Sequence, residues 1–127
     1  SANGIGAFEE GPTLFERNMR HMALVVRGGT LHVLWTRVGD TPERILLSTI
    51  DLKRPWREWS NQGEIDVLRP ERSWEGADAP LQPSIRSVAY GYVNQLRDPA
   101  LYLEDDRTFL LYAVAGESGI GLAEITW

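Results

Sequence analysis

The sequence predicts an all-β fold made of short antiparallel strands, and three observations predict it. Runs rich in Val, Ile, Leu, Trp and Thr are each closed by Gly, Asp or Pro, the pattern of strands separated by turns. One such group of strands is written twice along the chain. Several strands carry apolar residues on both faces, as strands of a sheet covered on both sides do.

Met22 to Arg27 and Leu31 to Val38 are the first two strands, joined at Gly28-Gly29, a hairpin signal because both turn positions accept positive φ. Arg44 to Ile50 supplies a third strand, and a fourth is expected between Trp56 and Leu68. An offset of 77 residues, the step from Arg20 to Arg97, then lays Arg20-His21-Met22-Ala23-Leu24 over Arg97-Asp98-Pro99-Ala100-Leu101. The same offset lays Val33-Leu34-Trp35 over Leu110-Leu111-Tyr112, and Gly39-Asp40 over Gly116-Glu117, with Asp105-Asp106 in place of the glycine pair. Beyond that point the second copy is two residues shorter, so that Ile45 to Ile50 lies over Ile120 to Ile125.

Short meandering strands, repeated and covered on both faces, suit a β-propeller, whose blades are each sandwiched between neighbours; a sandwich or small barrel is the alternative. The expected architecture is one domain, 1–127, of antiparallel meander blades of β-propeller type, two blades only. Blade one spans about 20–69, a linker about 70–95, and blade two about 96–127. Residues 10–17 resemble the end of an outer strand. Two roles stay open for them: the outer strand of a preceding blade, or the strand that completes the last one.

The linker is broken by Pro70, Gly76, Pro80, Pro83 and Gly91, yet Trp74, Ile85, Val88, Tyr90 and Tyr92 argue that it is ordered. A net charge of -5 offers no basic field to phosphate backbones, so nucleic acid is not an expected partner. The absence of cysteine rules out disulfides, thiolate zinc sites and a thiol nucleophile. No apolar run approaches bilayer length, so a membrane is not an expected partner either. No cofactor is implied.

Leu96-Arg97-Asp98-Pro99-Ala100-Leu101-Tyr102, a hairpin, and then Thr108-Phe109-Leu110-Leu111-Tyr112 resemble blade openings in the five-bladed glycoside hydrolases that include arabinanases, β-xylosidases, levansucrases and invertases. The resemblance implies a carbohydrate partner and a funnel-shaped site lined by strand starts and by the loops between second and third strands. It implies a rim holding Arg20, His21, Arg97 and Asp98, with Arg37, Asp40, Glu43 and Glu117 on the loops, overhung by Trp74, Glu75 and Asp78. Asp98 matches the aspartate of the Arg-Asp-Pro motif, which implies a transition-state role. Glu10-Gly11-Pro12 resembles the motif carrying the general acid in β-xylosidase-like members, which makes Glu10 a second catalytic candidate. The repeat, however, places the inner strand at Met22 and not after Pro12, and His21 stands where the second copy has Asp98. The two blades therefore do not supply equivalent acids.

Simpler readings stand beside these. Asp98 before Pro99 can cap a turn, with Arg97 as its partner. A lone His21 without a second ligand is not taken as a metal site. Asp40, Glu43 and Arg44 can form a solvated turn, and Trp74 can anchor its loop. The expected function is carbohydrate recognition or processing by a glycosidase-related unit; the alternatives are a non-catalytic glycan-binding module and an assembly module without a sugar site. Two blades leave outer faces without neighbours, so self-association is expected.

Overall fold

The computed structural model describes residues 1 and 3–127. It is all-β, with seven strands in two antiparallel sheets. The first sheet runs in order β1 (Met19–Arg27), β2 (Thr30–Arg37), β3 (Ile45–Asp51) and β4 (Glu64–Leu68). The second is β5 (Arg97–Glu104), β6 (Arg107–Val114) and β7 (Gly119–Ile125). The fourth strand is shorter than the sequence suggests, because Trp56–Glu58 forms a 3-10 turn before it.

The repeat is a repeat of backbone geometry. Arg20 pairs with Thr36 and Ala23 with Leu34 in the first sheet; Arg97 pairs with Ala113 and Ala100 with Leu111 in the second, each at the 77-residue offset. Between those pairs both first strands bulge, and His21 (φ 46°) and Asp98 (φ 48°) lie in the left-handed region at the bulge. Side chains there are strained except where short polar groups bond locally, which favours residues such as His and Asp. The two-residue shortening also holds: Trp35 faces Leu46, whereas Tyr112 faces Gly121.

The sheets pack face to face around Ala23, Leu34, Ile45, Leu96, Leu110, Tyr112 and Val114. Gly121 is what lets the Tyr112 ring lie flat across β7, since a Cβ there would sit 2.5 Å from the ring. A second cluster, Val33, Trp35, Leu46 and Ile50, occupies the far face of the first sheet. Leu14, Phe15 and Trp59 cover it, with Phe15 edge-on to Trp35 at 5.3 Å between ring centres. Residues 10–17 thus lie without strand structure against the first sheet, and the second sheet keeps three strands; the completing strand considered for 10–17 is not formed because these apolar side chains are spent on the Trp35 cluster.

The linker is ordered by its polar backbone. Ser84 is buried and its hydroxyl accepts from the Gly39 amide at 3.0 Å, and Asn94 donates to the carbonyls of Ala77 and Ala79 at 3.1 and 3.2 Å. An isolated parallel bridge between Glu43 and Gln95, with the Leu96 amide donating to the Glu43 carbonyl at 2.9 Å, joins the first sheet to the start of the second. Among the described residues no helix is long and apolar enough to cross a membrane.

Candidate functional site

The two bulged strand starts meet. His21 and Asp98 hold equal places in the two repeats, and His21 Nδ1 lies 2.7 Å from Asp98 Oδ1, with both side chains partly exposed. With Nδ1 engaged, Nε2 is the unspent nitrogen of the ring. Behind them Arg20 and Arg97, again equivalent positions, converge on one carboxylate. Arg20 donates from Nε to Glu43 Oε1 at 2.9 Å and from Nη2 to Oε2 at 2.5 Å, and Arg97 Nε lies 3.4 Å from the same Oε2.

Glu43 is fully buried and Arg97 nearly so, so this cluster must balance internally. Arg97 meets that need with Glu117, to which Nη1 donates at 2.9 Å, with the Ser87 carbonyl at 3.1 Å, and with the Gln95 side chain. Two guanidinium groups and two carboxylates then compensate one another.

Above the cluster Arg20, His21, Asp98 and Glu117 line a pocket of about 430 Å³ together with Arg86, Ser87 and Val88. Of the residues expected at a rim, four line this pocket and Arg97 underlies it. The others lie elsewhere. Asp40 is held by Arg44 at 2.8 Å and lies 3.7 Å from Arg37; its burial raises its pKa although both guanidinium groups pull it down. Glu10 is exposed on the N-terminal segment, where its neighbours Glu9, Gly11 and Pro12 border a groove with Trp56 and Trp59. Trp74 is half exposed on the 3-10 turn Ser73–Glu75 and is not among the pocket's lining residues.

Glu75, expected to overhang a rim, is instead buried, accepting from the Tyr112 hydroxyl at 2.9 Å and from the Glu71 and Arg72 amides at 2.9 Å. Glu43, considered part of a solvated turn, is the opposite of solvated. Its signal was the pairing of Arg20 and Arg97 in the repeat: two equivalent arginines brought together need an anion between them. Arg86 and Ser87 carried no sequence signal, since they reach the pocket through the fold of the linker. Among the described residues no group of three or more His, Asp or Glu side chains could hold a metal ion.

Chemically, the pocket offers unspent donors and acceptors on one wall. Arg20 Nη1 and His21 Nε2 carry no intramolecular hydrogen bond among the described residues, and neither do Asp98 Oδ2 and Glu117 Oε2.

No protein-family model matches the chain, and no solved structure matches it. A similar sequence is found in an uncharacterized protein of Acanthamoeba polyphaga mimivirus, 41% identical over 108 residues. That stretch is 84% of this chain and 30% of the viral protein, so the chain spans less than a third of that relative's length.

Proposed function

We propose that this chain is a propeller-type, glycosidase-related unit that recognises a carbohydrate in the pocket between its two strand starts. The observation that carries this reading is the mixed lining. A sugar hydroxyl both donates and accepts, and Arg20 offers donors where Asp98 and Glu117 offer acceptors. Duplicated strand register and the packing of unlike faces support the blade interpretation. Recognition is favoured over hydrolysis because both pocket carboxylates are engaged, Asp98 by His21 and Glu117 by Arg97, while Glu10 lies on another surface.

A glycan array followed by titration calorimetry tests the reading. The expected result is binding of a defined saccharide that Asp98→Ala and His21→Ala each weaken tenfold or more, about 1.4 kcal/mol, with circular dichroism unchanged. Absence of any glycan binding, or binding indifferent to both substitutions, would sink it. Hydrolysis of aryl furanosides, lost in Asp98→Ala, would replace recognition by catalysis.

A further inference from the structure

Arg86 is the guanidinium of the pocket that no carboxylate holds. Arg20 is paired with Glu43, and Arg97 beneath it with Glu43 and Glu117, whereas Arg86 forms no ion pair among the described residues. Its hydrogen bond there, from Nη2 to the Arg17 carbonyl at 2.6 Å, leaves the other N–H donors of the group unspent.

The backbone around Arg86 is pinned on both sides. Two residues before it, Ser84 is buried and its hydroxyl accepts from the Gly39 amide at 3.0 Å. One residue after it, the Ser87 carbonyl accepts from Arg97 Nη1 at 3.1 Å. The bond to Arg17 then ties the head of the side chain to the segment that precedes β1. A guanidinium already held in position loses less freedom when it meets a ligand.

The same pocket holds Asp98, whose partner is the His21 imidazole and not a guanidinium. Arg86 and Asp98 thus carry opposite charges and line one cavity of about 430 Å³, yet no ion pair joins them. The cavity is polarised, with an anion-binding group on the linker and hydroxyl acceptors at Asp98 and Glu117. A guanidinium binds a carboxylate through two parallel N–H donors, a match that a lone hydroxyl does not offer.

We propose that the pocket selects acidic saccharides, and that Arg86 is the residue that binds the carboxylate of a uronic-acid unit while Asp98 and Glu117 accept from its hydroxyls. The inference rests on the carbohydrate reading given above and adds to it the charge of the ligand. A net charge of -5 gives the chain no long-range pull on such a ligand, so the selectivity comes from this one contact.

Titration calorimetry with uronic-acid oligosaccharides and with their methyl esters tests it, since the ester keeps the ring hydroxyls and deletes the charge. The acid should bind about tenfold tighter than its ester, as a hydrogen bond to a charged group warrants. Added salt should narrow the gap. Arg86→Gln should bring the ratio of the two affinities to about one, whereas Arg86→Lys, which keeps the charge but not the planar fork, should retain part of it. Arg86 is exposed, so both variants should fold with unchanged circular dichroism. Equal binding of acid and ester by the wild type, binding confined to neutral glycans, or a preference that survives Arg86→Gln would overturn the inference and leave the carbohydrate reading standing. A chain that binds no saccharide, whether acidic, esterified or neutral, would remove that reading and this inference with it.

Discussion

The two repeats share a backbone and differ in how their faces are covered and in what their bulges carry. Both begin with a bulge at positive φ, cross a two-residue hairpin and reach a positive-φ glycine, Gly39 or Gly116. Yet the first sheet has four strands and a covered far face, whereas the second has three and an open one. The difference extends to the pocket, where the bulge holds a histidine in one copy and an aspartate in the other. A symmetric pair at that contact, two histidines or two aspartates, would place like groups against each other. Divergence at equivalent positions makes the contact of His21 with Asp98 cohesive, whereas Arg20 and Arg97, equal groups, are held together by a carboxylate outside the matched positions.

The largest expected effect breaks that asymmetry at its centre. Glu43→Ala leaves Arg97 buried with reduced compensation, and removing one partner of a buried ion pair costs about 3–5 kcal/mol. Glu117→Ala removes the other carboxylate from Arg97, but Glu117 is one-third exposed and water can replace it, so the loss should be about 1 kcal/mol. Urea unfolding of the two variants measures the contrast; equal losses would show that Glu43 is not the buried anchor.

A smaller effect sharpens the comparison at the matched glycines. Gly39 (φ 98°) and Gly116 (φ 80°) both need the conformation that side chains resist, so alanine at either should cost about 1–2 kcal/mol. They differ in surroundings. A Cβ at Gly39 meets nothing within 4 Å, whereas at Gly116 it would lie 2.7 Å from Val93 Cγ2 and 2.9 Å from Ala89 Cβ. Gly116→Ala should therefore cost a further 1–3 kcal/mol, about the penalty of overpacking. Thermal unfolding of the pair checks this, and a Gly39→Ala variant as damaging as Gly116→Ala would place the crowding in the wrong repeat.

The fold was legible wherever the sequence repeated itself. The 77-residue offset and the two-residue shortening both recur in the strand pairing, where Trp35 faces Leu46 and Tyr112 faces Gly121. The meeting of Arg20, His21, Arg97 and Asp98 followed from the same alignment. Residues outside the repeat were not legible, because burial leaves no mark on an isolated loop residue. Glu43 reads like its partly buried neighbours Asp40 and Arg44, and Glu75 reads like the exposed Asp78, until the linker folds over them. Residues 14–15 resembled a strand because apolar residues that cover a sheet and those that extend one have the same composition.

The smallest effect compares Trp35 with Tyr112, the matched aromatics of the central strands. Each is buried and each donates one hydrogen bond, Trp35 Nε1 to Ser48 Oγ at 3.0 Å and the Tyr112 hydroxyl to Glu75 Oε1 at 2.9 Å. Only the second joins groups that ionise. Burial, followed by the hydrogen bond to Glu75 and its charge, raises the Tyr112 pKa well above the usual value near 10. A phenol that keeps its proton longer in the folded state than in the unfolded state contributes stability that is fully present below about pH 10 and is lost as pH rises from there toward the folded-state pKa. Tyr112→Phe should cost about 1–2 kcal/mol at neutral pH, because the Glu75 oxygen loses its donor. It should also flatten the decline in stability above pH 10, since the group that releases a proton on unfolding is gone. Denaturant midpoints at pH 8 and pH 11 for the wild type and Tyr112→Phe separate the two contributions, and an identical alkaline decline in both proteins would mean that Tyr112 is not the group whose ionisation weakens the fold.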